Sequence, residues 1–226
     1  SYFVEGGTEP LVPGKLNDTG ITKWANGTSS ALNSQVDFPG QDADHGRDKT
    51  NNDDSDGHAG FSFTKIGANG EVLPVVVAEW SAVLDNVTGL IWENKTDDGG
   101  LHDKDNTYSW YEPDNTKNGY FEGFQNIGVC PEGNCDTYHF VQAVNAQKYC
   151  GYSDWRMPTR MELISIINNG SAYPVLDTSF FAPTPNPLDW MAYWTSATYS
   201  GAEARYVSFS VGQSFFHKKD NSFYVR

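Results

Sequence analysis

Cys150-Gly151-Tyr152-Ser153-Asp154-Trp155-Arg156-Met157-Pro158-Thr159-Arg160-Met161-Glu162-Leu163 puts a core-type tryptophan, two flanking charges, a proline and a helix start into one short run. Thr159 and Glu162 have capping-box spacing, so each side chain can satisfy a free amide at the other's end of the first turn. Pro158 stops any earlier helix and fixes the angle at which the next begins. Leu163, Ile164 and Ile167 then make an apolar stripe at helical spacing, and Asn168-Asn169-Gly170 supplies a stop. The run predicts a helix over 159–168. Asp154 and Arg156, on either side of Trp155, read as an ion pair or as backbone partners holding its start. Trp155, Trp92 and Trp194 read as core.

Upstream, Asp136 or Thr137 can cap a second helix over 136–149, with Phe140, Val141, Val144 and Ala143 as its apolar face and Gly151 after its end. Its length bears on the three cysteines, Cys130, Cys135 and Cys150. Cys135 and Cys150 would sit at opposite ends of a rod about 22 Å long. A disulfide needs Cα atoms within about 7 Å. The expected bridge is therefore Cys130–Cys135, with Cys150 free and buried, and it favours an oxidising compartment.

Outward from the helices the pattern is β. Residues 61–66 and Leu90-Ile91-Trp92 read as strands. Val207, Phe209 and Val211 alternate with Ser208 and Ser210, the two-residue period of a half-buried strand. Turns at Gly212-Gln213 and Lys219-Asp220-Asn221 then predict a terminal meander through 214–218 and 222–226. Residues 1–78 are polar and punctuated by Gly6-Gly7, Pro13-Gly14, Asn26-Gly27, Pro39-Gly40 and Asp56-Gly57. They read as a loop-rich extension packed on a main domain over 79–226. The residues alone give an α+β, antiparallel fold.

The opening run, taken with Asp85-Asn86-Val87-Thr88-Gly89-Leu90-Ile91-Trp92-Glu93, Tyr193-Trp194-Thr195-Ser196 and the closing Tyr224-Val225-Arg226, resembles the Lcl C-terminal domain family, named for the C-terminal domain of a Legionella collagen-like adhesin. The resemblance covers residues 79–226. It implies a C-type-lectin-like fold, with two helices, antiparallel sheets and long loops. It implies a secreted or cell-surface bacterial binding module and raises a homo-oligomer, a trimer, as a partner. Family members often carry cysteine where this chain has Ala82, which would make that position the missing partner of Cys150. The named adhesin's glycosaminoglycan ligand does not carry over, because this chain has the wrong charge.

That charge is −14 over 226 residues, with a pI near 4.5. Nucleic acid, anionic membranes and sulfated glycans all want a basic footprint, so they are poor partners. An acidic excess suits cations, or solubility in salty surroundings. No apolar run reaches the ~20 residues of a membrane helix. Aromatics are 14% of the chain and charged residues 19%, which argues for a folded, β-rich body. Some of the seven tryptophans and twelve tyrosines are then either exposed for binding or packed in an irregular core.

Two acidic loops could hold calcium. Asn52, Asp54 and Asp56 precede Gly57 at the alternating spacing of an EF-hand half-loop, although Phe63 stands where its closing Glu belongs. Asp42, Asp44 and Asp48 lie close enough to complete another cage. Asp97, Asp98, Asp103 and Asp105 form the second loop, next to Trp110 and Tyr111, where hard oxygens beside aromatic faces could make a calcium-assisted sugar site. Glu112-Pro113-Asp114-Asn115 superficially resembles the Glu-Pro-Asn triplet of calcium-dependent lectins, but it precedes both helices instead of following them. The five histidines lack zinc spacing. With no nucleophile elbow, P-loop or His-Glu-x-x-His, the chain reads as a non-enzyme. Recognition should fall to loops on a rigid scaffold, with Trp190, Tyr199, Arg205, Phe216 and Tyr224 as the anchoring side chains. The leading expectation is an adhesion module for a glycan or protein surface. The alternatives are a structural, oligomerising part of a surface fibre, or a scaffold displaying variable loops.

Overall fold

The computed structural model describes residues 17–50, 53–186 and 190–226. Its chain order is β1 (Trp24–Ala25), β2 (Ser30–Ala31), β3 (Phe63–Ile66), β4 (Ala82–Asp85), β5 (Ile91–Glu93), β6 (Tyr108–Ser109), α1 (Thr137–Gln147), α2 (Arg160–Ser165), β7 (Ala192–Thr198), β8 (Glu203–Ser208), β9 (Gln213–Lys218) and β10 (Ser222–Phe223). Small antiparallel sheets dominate: β3-β4-β5, β7-β8-β9, and the pairs β1-β2 and β6-β10. The fold is α+β.

One core joins both three-stranded sheets. Phe61, Phe63, Val83 and Trp92 from the first meet Tyr193, Val207 and Phe209 from the second, with Leu163, Ile166 and Ile167 of the α2 region between them. Burial of such a side chain contributes about 1.5–3 kcal/mol. Phe61 and Phe63 belong to the polar N-terminal segment, and β3 pairs along its length with β4. The border at residue 78 thus falls between neighbouring strands of one sheet.

The capping box forms as the sequence predicts: Thr159 Oγ1 accepts from the Glu162 amide at 3.2 Å, and Glu162 accepts from the Thr159 amide at 2.8 Å. Both helices are shorter than expected, for tertiary reasons. The amides of Asn168 and Asn169 donate to Val175 and Thr19, which ends α2 before its Asn-Asn-Gly signal. Helix α1, capped by Asp136, stops when Lys148 turns left-handed at φ 51°. Beyond it the Tyr149 hydroxyl donates to the Ser81 carbonyl and the Trp155 indole donates to the Tyr149 carbonyl. The charge pair also differs. Arg156 grips Glu162 with two bonds of 2.8 and 2.6 Å, and Asp154 stays exposed.

Cys130 and Cys135 are bridged, and Cys150 is free and buried. Cys150 packs in one cluster with Ala82 and Ile66. Burial pushes its thiol up to about 11.

The terminal meander is corrected at its last strand. β10 leaves β9 and pairs with β6, while Tyr224 exchanges backbone bonds with Ala192 and Trp194. The 219–221 turn is pulled away because Lys219 gives its carbonyl to Trp110 and its amide to Ala202. The alternation at 207–211 also fails. Ser208 is buried, donating to the Trp190 carbonyl at 2.7 Å, and Val211 is exposed.

Candidate functional site: an aromatic surface at the tip of the second sheet

The β7–β8 hairpin closes with the Tyr199 amide on the Glu203 carbonyl at 2.9 Å, which lifts Tyr199 to the sheet tip. Register pairs Arg205 on β8 with Phe216 on β9, so their side chains share a face. Tyr199 and Phe216 stack at 3.9 Å between centroids, only 11° from parallel. The Arg205 guanidinium lies 4.8 Å from the Tyr199 ring centre. Tyr199 is 42% and Phe216 45% exposed, well above what a core stack shows. Three of the expected anchors thus converge.

The others do not. Trp190 is 51% exposed but leans on Phe215, which points to the opposite face from Phe216. Tyr224 packs on Tyr193 and against the main core. Trp110 and Tyr111 are buried, the Trp110 indole donating to the Thr195 carbonyl at 2.9 Å. These three are corrected to scaffold: Trp110 is covered by β7 and β8, Tyr111 by the start of α1, and Tyr224 by β7.

A second segment abuts the tip. Gly119, at φ 65°, lies so close to Thr198 that a Cβ there would stand 2.9 Å from the Thr198 methyl carbon. Only glycine combines that conformation with that approach. The segment exposes Tyr120 almost fully, at 97%, and carries Phe121 and Phe124 packed edge to face at 5.4 Å. Lys219 holds it from beneath. Its side chain is 0% exposed, and Nζ donates to the carbonyls of Asn118 at 2.8 Å and Phe121 at 2.6 Å. The ammonium sits 4.2 Å from the Trp110 ring centre and 5.6 Å from that of Phe121. Burial pushes it down to about 8. Sequence reading missed Lys219, because it stands in a polar Lys-Asp-Asn turn. The run Gly119-Tyr120-Phe121 was the legible signal for the loop.

A family model described as the Lcl C-terminal domain matches residues 81–226. The chain belongs to that family. No curated protein and no solved structure matches it. The family match begins next to β4 and omits β3, so the N-terminal segment completes the sheet of this Lcl C-terminal domain.

The acidic loops, one inside this Lcl domain and one before it, are spoken for by neighbouring groups. Asp97, Asp103 and Asp105 gather within 4.8 Å, and Asp98 stays outside the cluster. Lys104 bridges Asp97 at 2.8 Å and Asp105 at 2.6 Å, and these bonds hold its ammonium above the usual lysine range. Asp103 accepts from the amides of Gly99 and Asp105. A calcium ion would have to displace that ammonium, so the set fits the ion poorly. Asp42 accepts from Thr19, Asp44 from the Trp24 indole, Asp54 from the Ala59 amide and Asp56 from Ser62. Asp48 is buried, and burial raises its carboxyl. Among the described residues these five form no three-carboxylate cluster; Asn52 lies outside them.

Inside the domain, Glu93 pairs with buried Lys95 at 2.8 Å and with His102 at 2.7 Å. Burial would raise the Glu93 carboxyl, but Lys95 and His102 together hold it below its ordinary range. Nearby, a cleft of about 270 Å³ runs between Leu90–Trp92 and Tyr152–Pro158, walled by the Arg156–Glu162 pair.

Proposed function

We propose that this domain is a non-enzymatic recognition module of an exported, surface-attached protein, built on a C-type-lectin-like scaffold, and that it binds a glycan through the sheet tip. The observation that carries this reading is the exposed Tyr199–Phe216 stack with Arg205 laid over it. Aromatic faces held rigid at a surface commonly anchor binding, at little entropic cost. Membership of an adhesin-named family supports the role. The Cys130–Cys135 bridge supports export, and no described helix is long and apolar enough to cross a membrane. The two helices, separate small sheets and long loops are compatible with the lectin-like scaffold.

Calcium plays no part in this reading, because Lys104 already supplies the cation of the acidic cluster. The test is a glycan array probed with the wild-type chain and with Phe216→Ala, with calcium and with a chelator. Wild type should retain glycans equally in both conditions, and Phe216→Ala should lose them. Binding abolished by the chelator would restore calcium to the site. Binding that survives Phe216→Ala would move the site elsewhere.

A further inference from the structure

We infer that the cleft along β5 is a docking groove for an extended peptide of a partner protein, which adds a fourth strand to the β3-β4-β5 sheet and brings one acidic side chain. The site is separate from the sheet tip, and the inference stands whether or not the tip binds glycans.

Start with the backbone. β5 lies at the edge of its sheet, with β4 on one side only. The Asp85 amide donates to the Leu90 carbonyl and the Asn94 amide to that of Ser81, which sets the phase of the ladder. Leu90, Trp92 and Asn94 therefore turn their main-chain groups toward β4. Ile91 and Glu93 turn theirs outward, because main-chain bonding alternates along a strand. Among the described residues nothing pairs with those two amides and two carbonyls. A strand edge left open in this way is a template for another chain.

A second wall makes this edge a groove. The cleft has β5 on one side and Tyr152, Asp154, Trp155, Arg156 and Pro158 on the other. That wall is held firmly: the Trp155 amide and carbonyl are both bonded to the Asn145 side chain at 2.8 Å, and the Pro158 carbonyl accepts from the Ser196 amide. Its Tyr152 and Trp155 rings, edge to face at 6.4 Å, offer apolar surface to the side chains of an incoming strand. Amides and carbonyls at strand spacing are matched by another main chain, so the groove suits a peptide better than a sugar.

Charge narrows the occupant. Glu162 is paired with Arg156, and Glu93 with Lys95 and His102. Arg226 lines the same cleft, is only 6% exposed, and has no such partner. Its guanidinium lies near the rings of Phe181 and Tyr193, and none of its three nitrogens has a hydrogen-bond acceptor. Asp154 is exposed and acts through water. The inner wall thus keeps one uncompensated positive charge where the dielectric is low. The net −14 of the chain is screened beyond about 10 Å. An Asp or Glu side chain on the peptide supplies the missing counter-charge.

The experiment uses the full chain to select heptapeptides from a random phage-displayed library. The selected peptides are synthesised, binding is measured by calorimetry, and amide exchange is followed by NMR. The binders should be enriched in Asp or Glu. They should slow exchange at Ile91 and Glu93 by about tenfold or more, while Trp92, already bonded to β4, changes little. N-methylation of alternate peptide amides should abolish binding in one phase and spare it in the other, the two-residue period of a strand. Arg226→Met should weaken acidic peptides by about tenfold and leave their Gln counterparts unchanged. An empty selection, or binders that protect amides elsewhere, overturns the groove. Binding indifferent to the phase of N-methylation overturns strand addition, and that test needs no protein variant. Binders without Asp or Glu, or full affinity in Arg226→Met, overturn the counter-charge. Ile91 and Glu93 amides already protected in the free chain would mean that a second copy or another segment of this chain fills the edge, which overturns a partner strand.

Discussion

At the residue scale, Lys219 shows burial setting a titration. Its folded pKa of about 8 lies below the ordinary 10.5, and desolvation is the cause. Below pH 8 both folded and unfolded chains hold the proton, and the fold bears the full cost of burying the charge. Between 8 and 10.5 the folded chain releases the proton while the unfolded chain keeps it. The unfolded state then binds more protons, so stability rises with pH across that window. The neutral amine can still donate to Asn118 and Phe121. Denaturant titrations at pH 7 and pH 9.5 should show wild type gaining about 1–2 kcal/mol relative to Lys219→Met. A constant difference between the two proteins would mean that the amine stays charged or reaches water.

At the scale of elements, α2 is six residues long, too short to persist on its own. Its start is held by Glu162, which caps Thr159 and pairs with Arg156. Removing that carboxylate leaves a free amide beside an exposed guanidinium that has lost its partner. Glu162→Ala should lower stability by about 1–2 kcal/mol, read as a shift in urea midpoint with an unchanged slope. Glu162→Gln, which keeps the cap but not the charge, should lose less. This motif was readable in the chain because both partners lie three residues apart. So was the Cys130–Cys135 bridge. The partner of β10 was not. Its ladder with β6 spans more than a hundred residues, and period-two alternation names a strand without naming its neighbour. Trp110 and Tyr111 were misread for a related reason. An aromatic beside an acidic loop looks exposed until distant strands cover it. The Lys219 strut was hidden entirely, since a lysine in a polar turn carries no local sign of burial.

At the scale of the whole molecule, the matched domain and the first sheet have different borders. The family match begins at residue 81, between the paired strands β3 and β4. A chain cut there loses β3 and bares the β4 edge, with its row of unpaired amides and carbonyls. It also loses Phe61 and Phe63 from the principal core, where Phe63 touches Phe61, Phe180 and Phe181 at centroid distances of 5.6, 5.4 and 5.1 Å. Emptying two such phenylalanine sites costs about 3–5 kcal/mol each, against a total stability of about 5–15 kcal/mol for an ordinary domain. Residues 79–226 alone should therefore aggregate or lose near-ultraviolet circular dichroism, and residues 54–226, which keep β3 and its aromatics, should fold. A soluble, cooperatively melting 79–226 fragment would mean that the second sheet and the helices suffice, and that the N-terminal segment is a cover over a domain complete without it.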